Sequence, residues 1–141
     1  MRLLLIAAIA GVGSALASFG AEHLENDILL FGNFVRLTLS HNPDIAFGIP
    51  LPFPLKELLI AGALVAVLIL SYKERHKKLP ALGFGLIIGG AIANLIDRIP
   101  DGIVTDYIAI GTFPVFNLPD ACITIGAGIL LLENLVKKKY A

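Results

Sequence analysis

Four long apolar segments constrain the fold of this chain more than any other feature of its sequence. They lie at about residues 3–20, 55–72, 81–98 and 118–136. Each is close to the ~20 residues that cross a hydrocarbon layer of about 30 Å as an α-helix, and a helix satisfies its own backbone polar groups there. Charged residues make up only 16% of the chain, whereas about 25% is usual in soluble domains. We therefore expect one integral membrane domain, residues 1–141, with four transmembrane helices.

The positions of the basic residues predict how these helices are oriented. Of the 11 lysines and arginines, eight lie at the two termini and between the second and third apolar segments. They are Arg2, Lys73, Arg75, Lys77, Lys78, Lys137, Lys138 and Lys139. The other three are Arg36, Lys56 and Arg98. Because cytoplasmic loops carry the excess of basic residues, we expect cytoplasmic termini and outward-facing segments 21–54 and 99–117. The zero net charge gives no indication of a nucleic-acid partner.

The N-terminus is open to a second interpretation. A basic residue, an apolar run and the "ALA" at 15–17 are typical of a secretory signal peptide that is cleaved. The large basic clusters would remain cytoplasmic in either case, so charge alone does not exclude cleavage. We expect the first helix to be retained.

Two local patterns describe packing and the outer connections. Small residues recur at four-residue spacing, which lets membrane helices approach closely. They are Gly85, Gly89 and Ala93 in the third segment, and Ser14 and Ser18 in the first. Residues 28–52 combine β-branched and aromatic residues with Pro and Gly, a pattern that predicts a short strand or hairpin on the outer face.

Polar residues cluster at the outer end of the third segment. Asn94, Asp97 and Arg98 are spaced i, i+3 and i+4, so they share one helix face. On spacing alone, an interfacial pair in which Asp97 and Arg98 satisfy each other explains them sufficiently. Ionisable residues within a membrane segment are nevertheless candidates for a functional site.

The start of the fourth segment reads as an ordinary helix N-terminus. Asn117 suits the N-cap, Pro119 is tolerated in the first turn, and Asp120 is favoured by the helix dipole. Asp106 taken alone fits a solvated loop carboxylate. Asp101 precedes a glycine in "PDG", a turn to which we assign no chemistry.

The combination of Asp106 and Asp120 changes this interpretation. Asp106 lies in the loop that returns to the fourth helix, and Asp120 lies one turn inside that helix, so their carboxyl groups could meet. Two close carboxyl groups do not both ionise readily, and the resulting acid and base could hydrolyse a peptide. The sequence shows neither a G-x-S-x-G motif nor a Cys/His cluster with zinc spacing.

Three sequence blocks, in order, resemble the signature of signal peptidase II, the lipoprotein signal peptidase family. They are "GGAIANLIDR", "GIVTDYI" and "FPVFNLPDACITIG", and "NPDIAFG" at 42–48 is similar to a fourth. The resemblance implies an aspartic endopeptidase of the bacterial inner membrane, with four transmembrane helices and a small β-rich cradle outside, between helices 1 and 2. Such enzymes remove the signal peptide of a prolipoprotein before its diacylglyceryl-modified cysteine.

The resemblance also implies roles for individual residues. Asp106 and Asp120 would be the catalytic pair. The residues that support or line the site would be Asn42, Asn94, Asp97, Arg98 and Asn117. No metal and no organic cofactor are implied, and the partners would be the precursor protein and membrane lipid.

Two departures from the family pattern leave alternatives open. The first helix lacks the family's Asp and Lys near its outer end, and Asp44 stands where the family usually has Gly. The chain could therefore be an inactive family member. A non-enzymatic four-helix transporter or scaffold is the other alternative, although transporters place ionisable groups near mid-membrane, and these lie at the outer ends.

Overall fold

The computed structural model of the chain describes residues 1–43 and 55–139. This part of the chain contains four helices and three strands. The helices are α1 (Arg2–Ala21), α2 (Leu55–Glu74), α3 (Lys78–Arg98) and α4 (Leu118–Lys139). The strands are β1 (Ile28–Phe31), β2 (Val35–Asn42) and β3 (Val104–Ile110). Their order along the chain is α1, β1, β2, α2, α3, β3, α4. Each predicted apolar segment thus lies within one helix.

Three of the helices in the described ranges, α1, α3 and α4, are long and apolar enough to cross a membrane. Their large apolar side chains are in many cases exposed, as Leu4, Ile9 and Leu16 are along α1. Such surfaces are unfavourable in water and suit hydrocarbon. The prediction of four spans stays open for α2, which is 20 residues long.

Helix α3 is the centre of the bundle and packs mainly against α1 and α4. The contact with α1 depends on the small residues that the spacing indicated. A Cβ atom at Gly89 would lie 2.5 Å from the carbonyl oxygen of Ala7, and Ser14 on α1 is fully buried. The prediction of close helix packing through these residues is therefore confirmed.

The three strands form one antiparallel sheet in the order β1-β2-β3. The predicted hairpin is β1 with β2. The sequence does not predict the third strand, because it indicates a loop at 99–117 and a β-rich cradle only between helices 1 and 2. This strand, β3, is mostly buried along its length, so it lacks the alternation of polar and apolar residues that marks a half-exposed strand.

Strand β2 carries a bulge opposite Tyr107. Its register with β3 shifts within 37–40, so that two residues of β2 face one residue of β3. Successive side chains of a strand point to opposite faces, and the extra residue reverses that alternation. As a result Asn42 lies on the same face of the sheet as Asp106, where His41 would lie without the bulge.

Candidate active site

Asp106 lies in the middle of β3 with only 2% of its surface exposed. Both of its carboxylate oxygens accept a hydrogen bond from a side-chain amide. Asn117 Nδ2 donates to Oδ1 at 2.9 Å, and Asn42 Nδ2 donates to Oδ2 at 2.9 Å. A carboxyl group that is buried at this depth needs such donors, and two elements, β2 and the start of α4, supply them.

Asn117 is the N-cap of α4 and is completely buried. Its Oδ1 accepts the backbone N–H of Asp120 at 2.8 Å, as the sequence predicted for this helix start. A backbone N–H can only donate, so this contact fixes which amide atom is oxygen and turns Nδ2 toward Asp106. One side chain therefore joins Asp106 to the helical turn that carries Asp120.

Asn94, on α3, completes the connection between the two aspartates. Its Nδ2 donates to Asp120 Oδ1 at 2.8 Å, and its Oδ1 accepts from Asn117 Nδ2 at 3.1 Å. The two acids are thus held at the ends of a chain of amides, in the order Asp106, Asn117, Asn94, Asp120.

The close approach of α3 to α4 makes this contact possible. A Cβ atom at Gly90 would lie 2.5 Å from the carbonyl oxygen of Pro119. The helices can therefore meet only because position 90 has no side chain. One turn later on α3, Asn94 lies against the first turn of α4.

Asp97 is used by the backbone of β3. Its Oδ2 accepts the N–H of Thr105 at 2.7 Å, directly before Asp106 in the chain. The charge of Arg98 also acts on the site, since it lowers the pKa of Asp106. The interpretation that Asp97 and Arg98 only satisfy each other at the interface therefore does not account for the contact between Asp97 and the strand that carries Asp106.

Glu22 is a neighbour of the site that the sequence did not indicate. It is the C-cap of α1, and its Oε1 accepts a hydrogen bond from Thr105 Oγ1 at 3.4 Å. The first helix lacks the family's acidic residue near its outer end, yet a carboxylate lies just beyond its last turn. Glu22 stands out in the sequence as the first acidic residue after the apolar run of α1. Its contact with β3, however, follows only from the fold.

Burial is the largest influence on the Asp106 carboxyl group and raises its pKa to about 6. The hydrogen bond from Asn42 lowers the pKa, and the negative charge of Asp120 raises it. Smaller effects come from Arg98, which lowers it, and from Asp97, which raises it. Asp106 therefore changes its protonation near neutral pH, and it responds to the charge of Asp120.

The structure brings five of the seven predicted site residues into one hydrogen-bonded network. They are Asn42, Asn94, Asp106, Asn117 and Asp120. The other two, Asp97 and Arg98, lie beside it. Asp44, the departure noted in the outer block, lies outside the described residues. Within residues 1–43 and 55–139, no group of three or more His, Cys, Asp or Glu side chains could hold a metal ion.

A helical membrane domain with two carboxyl groups at the ends of an amide network defines a class of protein suited to acid–base chemistry at a membrane. Comparison with known proteins identifies the family. The sequence profile described as Signal peptidase (SPase) II matches residues 6–136. The chain therefore belongs to the signal peptidase II family and is a bacterial membrane protein.

Curated relatives agree with this assignment. The chain is 34% identical to the lipoprotein signal peptidase of Chlorobium luteolum over 131 residues, which cover 83% of this chain and 78% of that protein. It is 42% identical to that of Halothermothrix orenii over 113 residues, covering 77% and 76%. For the Brucella ovis protein the identity is 37% over 131 residues, covering 83% and 81%.

Two solved structures have the same fold. One is described as a bacterial membrane enzyme determined by the in meso method at 2.3 Å resolution. It has a TM-score of 0.86 at 23% identity, with 96% of this chain and 88% of that chain covered. The other, a bacterial membrane enzyme determined by the same method at 1.9 Å, has a TM-score of 0.83 at 24% identity, covering 94% and 92%.

Proposed function

We propose that this protein is an aspartic endopeptidase that removes the signal peptide of prolipoproteins, cutting before the diacylglyceryl-modified cysteine. Membership of the signal peptidase II family supports the reaction, and the relatives named lipoprotein signal peptidase support the substrate. The observation that carries the aspartic mechanism is the side chain of Asn117, which contacts both Asp106 and the backbone of Asp120.

Asp106 and Asp120 have different surroundings, and this difference suggests different roles. Asp106 is buried and has a pKa raised to about 6, so below about pH 6 it can hold the proton that the reaction needs. Asp120 lies at the third position of α4, where the helix dipole favours a negative charge. In this assignment Asp120 is the base and Asp106 is the acid.

The reaction then follows from these protonation states. Asp120 takes a proton from a water molecule, whose oxygen attacks the carbonyl carbon of the peptide bond before the cysteine. Asp106 gives its proton to the carbonyl oxygen, and a tetrahedral diol forms. When the diol collapses, Asp106 takes back a hydroxyl proton, Asp120 donates the proton that it received, and the C–N bond breaks. The products are the carboxyl end of the signal peptide and the free amine of the cysteine.

The amide side chains around the pair position the two carboxyl groups and do not transfer protons. Asn94 and Asn117 hold the two carboxyl groups relative to each other, and Asn42 stabilises the charged form of Asp106. Asp97 fixes the strand at Thr105, and Arg98 adds a positive charge. Because Asn42, Asn94 and Asn117 each donate to a carboxylate oxygen, the site is organised before the substrate arrives.

We place the site at the outer boundary of the membrane, with four spans, the first helix retained and both termini in the cytoplasm. Support comes from the distribution of the basic residues and from the sheet, which follows α1 and α3 on the same side as the aspartates. A precursor would approach through the bilayer, its signal helix beside the bundle and its acyl chains in lipid. Membrane lipid is therefore a direct partner of the enzyme.

The test is cleavage by purified protein reconstituted in lipid nanodiscs. The substrate is a synthetic precursor whose cysteine carries a diacylglyceryl group, and the control is the same precursor with an unmodified cysteine. We expect mass spectrometry to show one cut, directly before the modified cysteine, and little cleavage of the control. A cut at another bond, or none under conditions where the protein is folded, would exclude the proposed activity.

A further inference from the structure

The hydroxyl group of Tyr107 makes a contact that the proposed reaction does not use. Tyr107 follows Asp106 in β3, is 6% exposed, and accepts the backbone N–H of Leu118 at 3.1 Å. Leu118 is the first residue of α4, two positions before Asp120. The contact therefore connects the residue that follows Asp106 with a residue two positions before Asp120.

The first turn of α4 shows why this hydroxyl is needed. The N–H groups at a helix start have no partner within the helix. Pro119 has no N–H, and that of Asp120 is capped by Asn117. The N–H of Leu118 remains, and the Tyr107 hydroxyl is its acceptor.

The backbone alone brings the two segments together only as far as Phe116. Tyr107 and Ile108 donate to the carbonyl oxygen of Phe116 at 3.0 and 2.7 Å, and Phe116 donates back to Ile108 at 3.0 Å. Beyond this bridge the chain turns away into α4. Two side chains of the site then tie the start of the helix to β3, namely Asn117 through Asp106 and Tyr107 through Leu118.

Tyr107 also lies near the first helix. Burial raises the pKa of its hydroxyl, whereas the backbone N–H of Leu118 and the side chain of Ser18 on α1 lower that pKa. The phenol therefore keeps its proton at neutral pH. The same hydroxyl joins β3 to the start of α4.

We propose that Tyr107 is a positioning residue whose hydroxyl fixes the start of α4 against β3 and so sets the separation of Asp106 and Asp120. The inference rests on the proposed aspartic mechanism, but the contact itself does not. A phenylalanine would fill the same space and lose only the acceptor. The reaction rate is sensitive to the spacing of two catalytic groups, because a displacement of about 1 Å can lower it on the order of a hundredfold.

The test compares Tyr107→Phe with Tyr72→Phe, the same change on an exposed tyrosine at the other end of the bundle. For Tyr107→Phe we expect a fall in kcat of about tenfold or more with KM changed less than about twofold. We also expect faster hydrogen exchange at the Leu118 amide. The Asp106 carboxyl group, titrated by infrared spectroscopy, should have a lower pKa, since the charge of Asp120 acts on it from farther away. Tyr72→Phe should change none of these quantities.

A second variant separates positioning from stability. Leu118→Pro removes the N–H that needs the acceptor, at a helix position where proline is well tolerated. Added to Tyr107→Phe, it should restore the unfolding temperature, because no unpaired donor remains, while kcat stays low. If kcat returns to the wild-type value together with stability, the hydroxyl is only structural and the inference is wrong.

An unchanged kcat and an unchanged Asp106 titration in Tyr107→Phe would also overturn the inference about Tyr107. The proposed function fails in a different way, when the wild-type protein does not cleave the lipid-modified precursor. In that case the titration and the hydrogen exchange still decide whether Tyr107 sets the separation of the pair.

Discussion

Asn117 donates a hydrogen bond of 2.9 Å to Asp106 while its own oxygen caps the helix that carries Asp120. The same side chain therefore has a structural role and a role in the site, and a substitution can separate them. Asn117→Ser keeps an N-cap oxygen for the Asp120 N–H but has no amide that reaches Asp106. Asn117→Ala loses both contacts.

We expect Asn117→Ser to lower cleavage activity strongly while the free energy of unfolding falls by less than about 1 kcal/mol from the cap itself. Asn117→Ala should lose a further ~1 kcal/mol, because the cap is missing. The measurements are precursor cleavage and unfolding in mixed detergent. If the serine variant retains wild-type activity, the Asn117–Asp106 hydrogen bond does not contribute to catalysis.

Gly90 tests whether the close approach of α3 and α4 positions the site. A Cβ atom there would lie 2.5 Å from the Pro119 oxygen, so Gly90→Ala must push the first turn of α4 away. We expect a loss of about 1–3 kcal/mol in stability, as for other overpacked positions, and a larger loss of activity. Gly13→Ala is the matched control, because nothing lies within 4 Å of a Cβ at position 13. Equal behaviour of the two variants would contradict the packing argument.

The pH dependence of the wild-type enzyme should report the pKa of Asp106, which is raised to about 6. The proposed acid must carry a proton, so kcat/KM should fall as the pH rises through about 6, where the free enzyme loses it. Removing a donor that stabilises the anion raises a carboxyl pKa. Asn42→Leu should therefore move this limb of the profile to higher pH.

Asp120→Asn should change the titration of Asp106 in the opposite direction. It removes a negative charge that raises the pKa of Asp106, so the infrared titration of the Asp106 carboxyl group should shift to lower pH. Opposite pKa shifts in Asn42→Leu and Asp120→Asn would establish that the titrating group is Asp106. Shifts of the same sign would show that the charge of Asp120 does not act on Asp106.

Asp97 should act through the backbone of β3. Its Oδ2 accepts the Thr105 N–H, and an asparagine offers an oxygen in the same place. Asp97→Asn is therefore expected to keep most of the activity, whereas Asp97→Leu leaves the N–H unpaired and should cost about 1–3 kcal/mol in stability. Precursor cleavage and unfolding of both variants check this. Loss of activity in Asp97→Asn with unchanged stability would mean that its charge is required.

The local features of the site could be predicted from the sequence. Asn117 and Asp120 are three residues apart, so the capping contact depends only on helix geometry. The helices themselves followed from runs of apolar residues, because the membrane leaves few other structures possible. The close contact at Gly89 followed from the spacing of small residues.

The contacts that join distant segments could not be predicted in the same way. Asn42 meets Asp106 because a bulge in β2 shifts the register by one residue, and composition does not reveal a bulge of this kind. Strand β3 was missed because burial on both faces removes its alternating pattern. Glu22 meets Thr105 only once α1 and the sheet are in place. The loop between α3 and α4 indicated only that Asp106 and Asp120 could meet, and the family resemblance implied that they are the catalytic pair.

The measurement that tests the aspartic mechanism most directly is cleavage of the diacylglyceryl-modified precursor by Asp106→Asn, Asp120→Asn and the double variant. Asp101→Asn is the control, since Asp101 accepts the Ile103 N–H in a turn and an asparagine oxygen can do the same. Each single variant should insert and fold like the wild type yet fail to cleave, with the double variant no worse than either, while Asp101→Asn remains active. Near-wild-type cleavage by Asp106→Asn or by Asp120→Asn would contradict the account.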